Sequence, residues 1–101
     1  MYGEMVYEPE NRRFKRFDFL SRIEYVVDSP VSKEIHKGVA VNISENGMAA
    51  YVNTPHDQGQ RIIIRSALPI EARIATVRWI QREDEHIYLT GLHFSDHSDT
   101  I

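Results

Sequence analysis

Residues 39–52 read Val39-Ala40-Val41-Asn42-Ile43-Ser44-Glu45-Asn46-Gly47-Met48-Ala49-Ala50-Tyr51-Val52. Val39, Val41 and Ile43 recur at a period of two, the signature of a strand whose side chains point to opposite faces in turn. Met48 to Val52 supplies a second β-prone run. Between them Ser44-Glu45-Asn46-Gly47 turns the chain. Asn-Gly between two such runs is a strong hairpin signal, because both residues tolerate positive φ. This stretch predicts an antiparallel hairpin, and the rest of the chain can be read outward from it.

Upstream, Phe17, Phe19, Ile23, Tyr25 and Val27 share one parity, broken only by Ser21, and Asp28-Ser29-Pro30 ends the run. Downstream, Pro55, Asp57 and Gly59 mark a loop before Arg61-Ile62-Ile63-Ile64-Arg65, and Pro69 follows as a breaker. Ile70 to Ile80 is a long β-rich stretch with Ile74, Val77 and Trp79. Trp79 offers a ring on which a base could stack, but core filling beside Val77 or on the opposite face is its favoured role. The acidic turn Glu83-Asp84-Glu85 leads into Ile87 to Phe94, the last strand. Six short strands without helical periodicity predict an all-β, six-stranded antiparallel fold. A barrel is expected over a sandwich, because closure removes the edges that a small β domain must otherwise protect.

The 101 residues suffice for one domain. Hydrophobic residues at 42% and charged residues at 27% match ordinary globular composition. Twelve Lys+Arg against fifteen Asp+Glu give a formal net charge of -3. That balance argues against a nucleic-acid polymer as partner, because phosphate neutralisation draws on a basic surface. The absence of cysteine excludes disulfides, thiolate metal sites and cysteine nucleophiles. The opening residues carry acids and no apolar core, unlike a signal peptide. No run approaches the roughly 20 apolar residues that cross a bilayer. A cytoplasmic protein without membrane insertion is the expectation.

Residues 1–11, with Pro9 among Glu4, Glu8 and Glu10, read as a flexible N-terminal arm. Next stands Arg12-Arg13-Phe14-Lys15-Arg16, four cations in five residues. Arginine's planar fork matches a phosphate or the O6/N7 edge of guanine. A solvated charge run is the plainer alternative. In the hairpin, Asn42 and Ser44 add an amide and a hydroxyl that can bond a purine edge or a phosphate oxygen, and Gly47 permits close backbone approach. Here too a well-formed turn is the plainer alternative.

Taken together, these two elements resemble the signature of the PilZ domain family, bacterial receptors for cyclic di-GMP. That signature is an Arg-x-x-x-Arg element in an N-terminal loop followed by Asp/Asn-x-Ser-x-x-Gly one hairpin later. The first is matched by Arg12 to Arg16 and the second by Asn42 to Gly47. Val77-Arg78-Trp79 and Gly91-Leu92-His93-Phe94 look like the family's barrel-closing segments, so the resemblance covers roughly residues 10 to 95. It implies a barrel over residues 12–95 with a short C-terminal tail at 96–101, and a ligand bound on the outer surface. It implies that Arg12 and Arg16 clamp phosphates and guanine edges, with Arg13 between them able to contribute. Asn42 and Ser44 would bond the opposite side, and Gly47 would hold the turn open. The ligand is then cyclic di-GMP, with no further cofactor, and a separate downstream protein receives the signal. Asn11, directly before the arginines, leaves open whether ligand binds as a monomer or a stacked dimer.

Two other readings compete with the receptor: an interaction module whose barrel no longer depends on nucleotide, and a small RNA- or DNA-binding barrel. No Ser/His/Asp arrangement or phosphate-binding glycine loop is present, so no catalytic residues are expected and the chain does not read as an enzyme. His93 and His97 have i,i+4 spacing, but a metal pair at that spacing needs a helix and His93 falls in a predicted strand. No metal site is expected.

Overall fold

The strands are built from alternating β-branched and aromatic residues, and the turns between them from Asp, Asn, Ser, Gly and Pro. A computed structural model describes residues 17–95 of the chain. It contains β1 (Phe17–Val27), β2 (Ile35–Ser44), β3 (Gly47–Val52), β4 (Arg61–Ile64), β5 (Ile74–Asp84) and β6 (Ile87–Phe94). The expected arm at 1–11, the basic stretch at 12–16 and the tail at 96–101 lie outside the described residues.

Every neighbouring pair is antiparallel, and the order around the sheet is β1-β2-β3-β6-β5-β4. β4 returns to β1 through Tyr25↔Ile64, Val26↔Ile63 and Val27↔Ile62. Each strand is thus paired on both sides, and the sheet closes into the six-stranded barrel the sequence predicts. Its interior holds Ile23, Tyr25, Ile43, Met48, Val52, Ile62, Ile64, Val77, Leu92 and Phe94, all buried. Burying each large apolar side chain contributes about 1.5–3 kcal/mol, and small Ala40, Ala50 and Ala75 let opposite walls approach.

The two-residue period fails at specific places, and β-bulges are the reason. Register shifts occur in β1 between Asp18 and Ser21, in β2 between Ala40 and Asn42, and in β5 between Val77 and Trp79. A bulge places two residues opposite one and reverses the parity that follows. Val39, Val41 and Ile43 therefore do not share a face: Val39 is 37% exposed and Ile43 is 3% exposed. By the same device Trp79 is 44% exposed while Val77 is buried. The core role expected for Trp79 is replaced by a position on the outer surface.

Strand limits shift as well. β2 starts at Ile35, β4 stops at Ile64, and β5 begins at Ile74 instead of Ile70. Glu83 and Asp84 belong to β5, so the acidic turn contracts to Glu85 and His86. The hairpin lies where expected, but its turn is Glu45-Asn46, and neither Asn46 nor Gly47 has positive φ. Gly47 is required for another reason. It opens β3 directly beside β6, where an added Cβ would collide with the Leu92 carbonyl oxygen.

Candidate functional site

Two of the bulges bring polar and aromatic groups to one patch on the outside of the barrel. Past the bulge in β2, Asn42 pairs with Ala49, Ala49 with Gly91 across β6, and Gly91 with Trp79 past the bulge in β5. Only small residues, Ala49 and Gly91, stand in the middle of this row, and the Trp79 ring lies over Gly91, where a Cβ would strike the indole atoms. The next row, nearer the hairpin end, runs Ser44, Gly47, His93 and Thr76. Between the rows is an open groove of about 290 Å³ lined by Asn46, Gly47, Arg78, Trp79, Gly91 and His93, among others.

The hairpin end is held rigidly. The Ser44 Oγ, in a residue only 3% exposed, donates to Asn46 Oδ1 at 2.7 Å and accepts from the Asn46 N–H at 3.4 Å. The Phe94 N–H donates to the Asn46 carbonyl at 2.9 Å and ties the turn to β6. The Ser44 hydroxyl therefore fixes the orientation of Asn46, and the Asn46 amide is the group that borders the groove. Sequence reading treated Asn46 only as a turn former.

Asn42, Ser44 and Gly47 lie toward the hairpin end of β2 and β3, where Ser44 pairs with Gly47 and Asn42 with Ala49, and of the three Gly47 lines the groove. Arg12, Arg13 and Arg16 lie outside the described residues. The first described residue, Phe17, pairs with Ile43, and Asp18 pairs with Asn42. The basic stretch thus joins the barrel beside the hairpin, and Arg12 is five residues from Phe17, a reach of at most about 18 Å.

Sequence reasoning missed Arg78, Gly91 and His93 as groove residues. One signal for them was available: a glycine inside a strand often marks close approach by another group, and Gly91 faces the chain's single tryptophan. A flat aromatic ring, a guanidinium, an amide and an imidazole around an open groove suit a planar base carrying an anionic group. Among the described residues, no group of three or more His, Cys, Asp or Glu is placed to hold a metal ion. Among the same residues, no helix is long and apolar enough to cross a membrane.

Comparison with known proteins gives two findings. The family model described as "PilZ domain" matches residues 10–101. Among solved structures, the barrel resembles the Bacillus subtilis inhibitor of motility (MotI/DgrA), with a TM-score of 0.59 and 23% sequence identity. That match covers 89% of this chain and 44% of the other, so this chain spans less than half its length and the likeness is one of fold. Curated proteins gave no match.

Proposed function

The chain belongs to the PilZ domain family, and from that premise we propose that it is a cyclic di-GMP receptor whose ligand lies in the groove beside the Asn42–Gly47 hairpin end. PilZ domains are in general cyclic di-GMP-binding modules that act on protein partners and are not enzymes. In this reading Arg12 and Arg16, with Arg13 beside them, reach over the hairpin and clamp the phosphates and a guanine edge. Asn42 bonds the ligand from the barrel side. Ser44 holds the turn, and Gly47 keeps β3 against β6 so that the groove floor stays open. A separate protein then reads the reorganised surface.

The observation that supports this most is the convergence of two rows. The hairpin that carries the family's second motif adjoins a groove walled by the Arg78 guanidinium and an outward-facing Trp79. Base stacking on an aromatic ring contributes about 1–3 kcal/mol, and each charge-assisted hydrogen bond about 1.5–3 kcal/mol. Several such contacts can offset association costs of about 4–15 kcal/mol and reach the roughly 8 kcal/mol of micromolar binding.

Calorimetric titration with cyclic di-GMP, and with GTP as control, tests the proposal. Saturable binding at micromolar concentrations or tighter, absent with GTP, is the expected result. An absence of heat together with an unchanged amide spectrum at high ligand would overturn it.

A further inference from the structure

At the barrel end away from the Ser44–Gly47 turn, three rings pack together from three elements. Tyr25 of β1 is almost fully buried, and its hydroxyl lies 2.7 Å from His56 Nε2. His36, paired with Tyr25 across β2, stacks on the phenol with centroids 5.2 Å apart. The His56 ring meets His36 edge to face at 5.1 Å. His56 belongs to the loop of residues 53–60 between β3 and β4.

The other end of that loop is bonded to β5. Gly59 N–H donates to the Val77 carbonyl at 2.8 Å, Val77 N–H to the Gln60 carbonyl at 2.9 Å, and Gln58 Nε2 to the Arg78 carbonyl at 2.9 Å. Val77 and Arg78 are the residues at the β5 bulge that turns Trp79 outward, and Arg78 and Trp79 line the groove. Tyr25, His56 and Val77 also border one small interior space of about 10 Å³, where Thr90 Oγ1 has no hydrogen-bond partner. The loop therefore physically joins the histidine cluster to the wall of the proposed ligand site.

We propose that His36, Tyr25 and His56 form an acid-sensitive latch, which holds the 53–60 loop on β5 while His56 is neutral and releases it when His56 is protonated, loosening the Arg78–Trp79 wall. This rests on the function proposed above and adds a regulatory input to it.

The chemistry is direct. Tyr25 Oη and neutral His56 Nε2 share one hydrogen bond, which the phenol donates in the tautomer that leaves Nε2 bare. Protonated His56 is a donor at both ring nitrogens, so the phenol must turn to accept, its own proton must leave the bond, and a cation stands against the His36 ring. Burial, then His36, holds the His56 pKa below its ordinary value, with Asp57 opposing. Burial pushes the Tyr25 phenol upward, so it stays protonated. Tyr25 on β1, His36 on β2 and Asp57 on the loop are the titrating groups that face His56. The other walls of the space beneath it are Ile23, Val52, Ile62, Val77, Thr90 and Leu92, none of which titrates. Sites coupled through a shared element affect one another reciprocally, so ligand bound at the groove lowers the proton affinity of His56.

The test follows the full chain by NMR from pH 8 to pH 5, first without ligand. The imidazole signals of His56 and the amides of Gln60, Val77 and Arg78 are expected to move with one midpoint. His56→Gln removes that midpoint from the amides, and His36→Gln moves it upward by relieving the opposing charge. Tyr25→Phe keeps the ring stack and removes the O–H; it is expected to broaden or shift the same amides already at pH 8. Amides of Val77 and Arg78 that ignore the His56 titration, or titrate unchanged in His56→Gln, overturn the latch. Affinity for cyclic di-GMP is then compared at pH 7.5 and pH 5.5. A loss of about fivefold in wild type, the lower end of ordinary coupling, that is absent in His56→Gln supports it; equal losses in both overturn it. Failure of cyclic di-GMP to bind at either pH counts against the receptor reading, and the ligand-free titration still decides the latch.

Discussion

The indole of Trp79 lies across Gly91, in the space that a Cβ at residue 91 would need. The β5 bulge turns Trp79 outward, and the absence of a side chain at its cross-strand neighbour gives the ring its seat. The ring also presents a flat surface to the groove that Trp79 and Gly91 line.

Gly91→Ala would push the ring off that seat. Since the displaced atoms belong to a partly exposed side chain, the barrel is expected to unfold at nearly the wild-type temperature. Cyclic di-GMP affinity is expected to fall about tenfold, in line with loss of about 1–3 kcal/mol of stacking. Trp79→Ala should match it in affinity. Calorimetry on both variants checks this, and wild-type affinity in either removes Trp79 from the proposed site.

Gly47→Ala meets a different obstacle. The added methyl collides with the Leu92 carbonyl, which is backbone in the β3–β6 ladder and cannot rotate away. Forcing a methylene into a packed position costs about 1–3 kcal/mol, and here the pairing of β3 with β6 must shift to admit it. Urea unfolding should show a lowered midpoint. A midpoint equal to wild type would mean that the two strands separate easily at the hairpin end, against the close packing seen there.

These two glycines also show which parts of the structure were legible in the sequence. Strand positions were readable because turn residues punctuate apolar runs: Asp28-Ser29-Pro30, Pro55 to Gly59 and Pro69 all fall between strands. The motif at Asn42 to Gly47 placed one hairpin end correctly. Bulges were not readable, because Val41 and Arg78 carry no mark that distinguishes an extra residue from a paired one. That single gap put Val39 and Ile43 on one face and sent Trp79 to the core. Asn46 was read only through its turn propensity, since its bond to the buried Ser44 hydroxyl depends on side-chain geometry that spacing does not specify.

Removing charged and neutral ligand contacts should separate in magnitude. Arg16→Ala is expected to weaken cyclic di-GMP binding by about tenfold to a hundredfold or more, as a charge-assisted contact of roughly 1.5–3 kcal/mol is lost. Asn42→Ala removes a neutral group worth about 0.5–1.5 kcal/mol, so its effect should be smaller. Both should keep the wild-type melting temperature, since Arg16 precedes β1 in the chain and Asn42 is on the barrel's outer row. Equal affinities for wild type and Arg16→Ala would sink the role assigned to the basic stretch.

Stability itself should depend on pH through His56. Its folded-state pKa is lowered, mainly by burial and then by His36, so folding favours the neutral ring. In the unfolded chain the ring takes up its proton near pH 6.5. Above that value neither state binds the proton, and the contribution is fully present. As pH falls below it, the unfolded chain binds the proton first and stability declines, until the folded ring is protonated too. His56→Gln cannot titrate, so the difference between the two melting temperatures should be flat from pH 8 to about 6.5 and then turn against wild type toward pH 5. Parallel curves over the whole range would show that the His56 ring is as open to water in the barrel as in the unfolded chain.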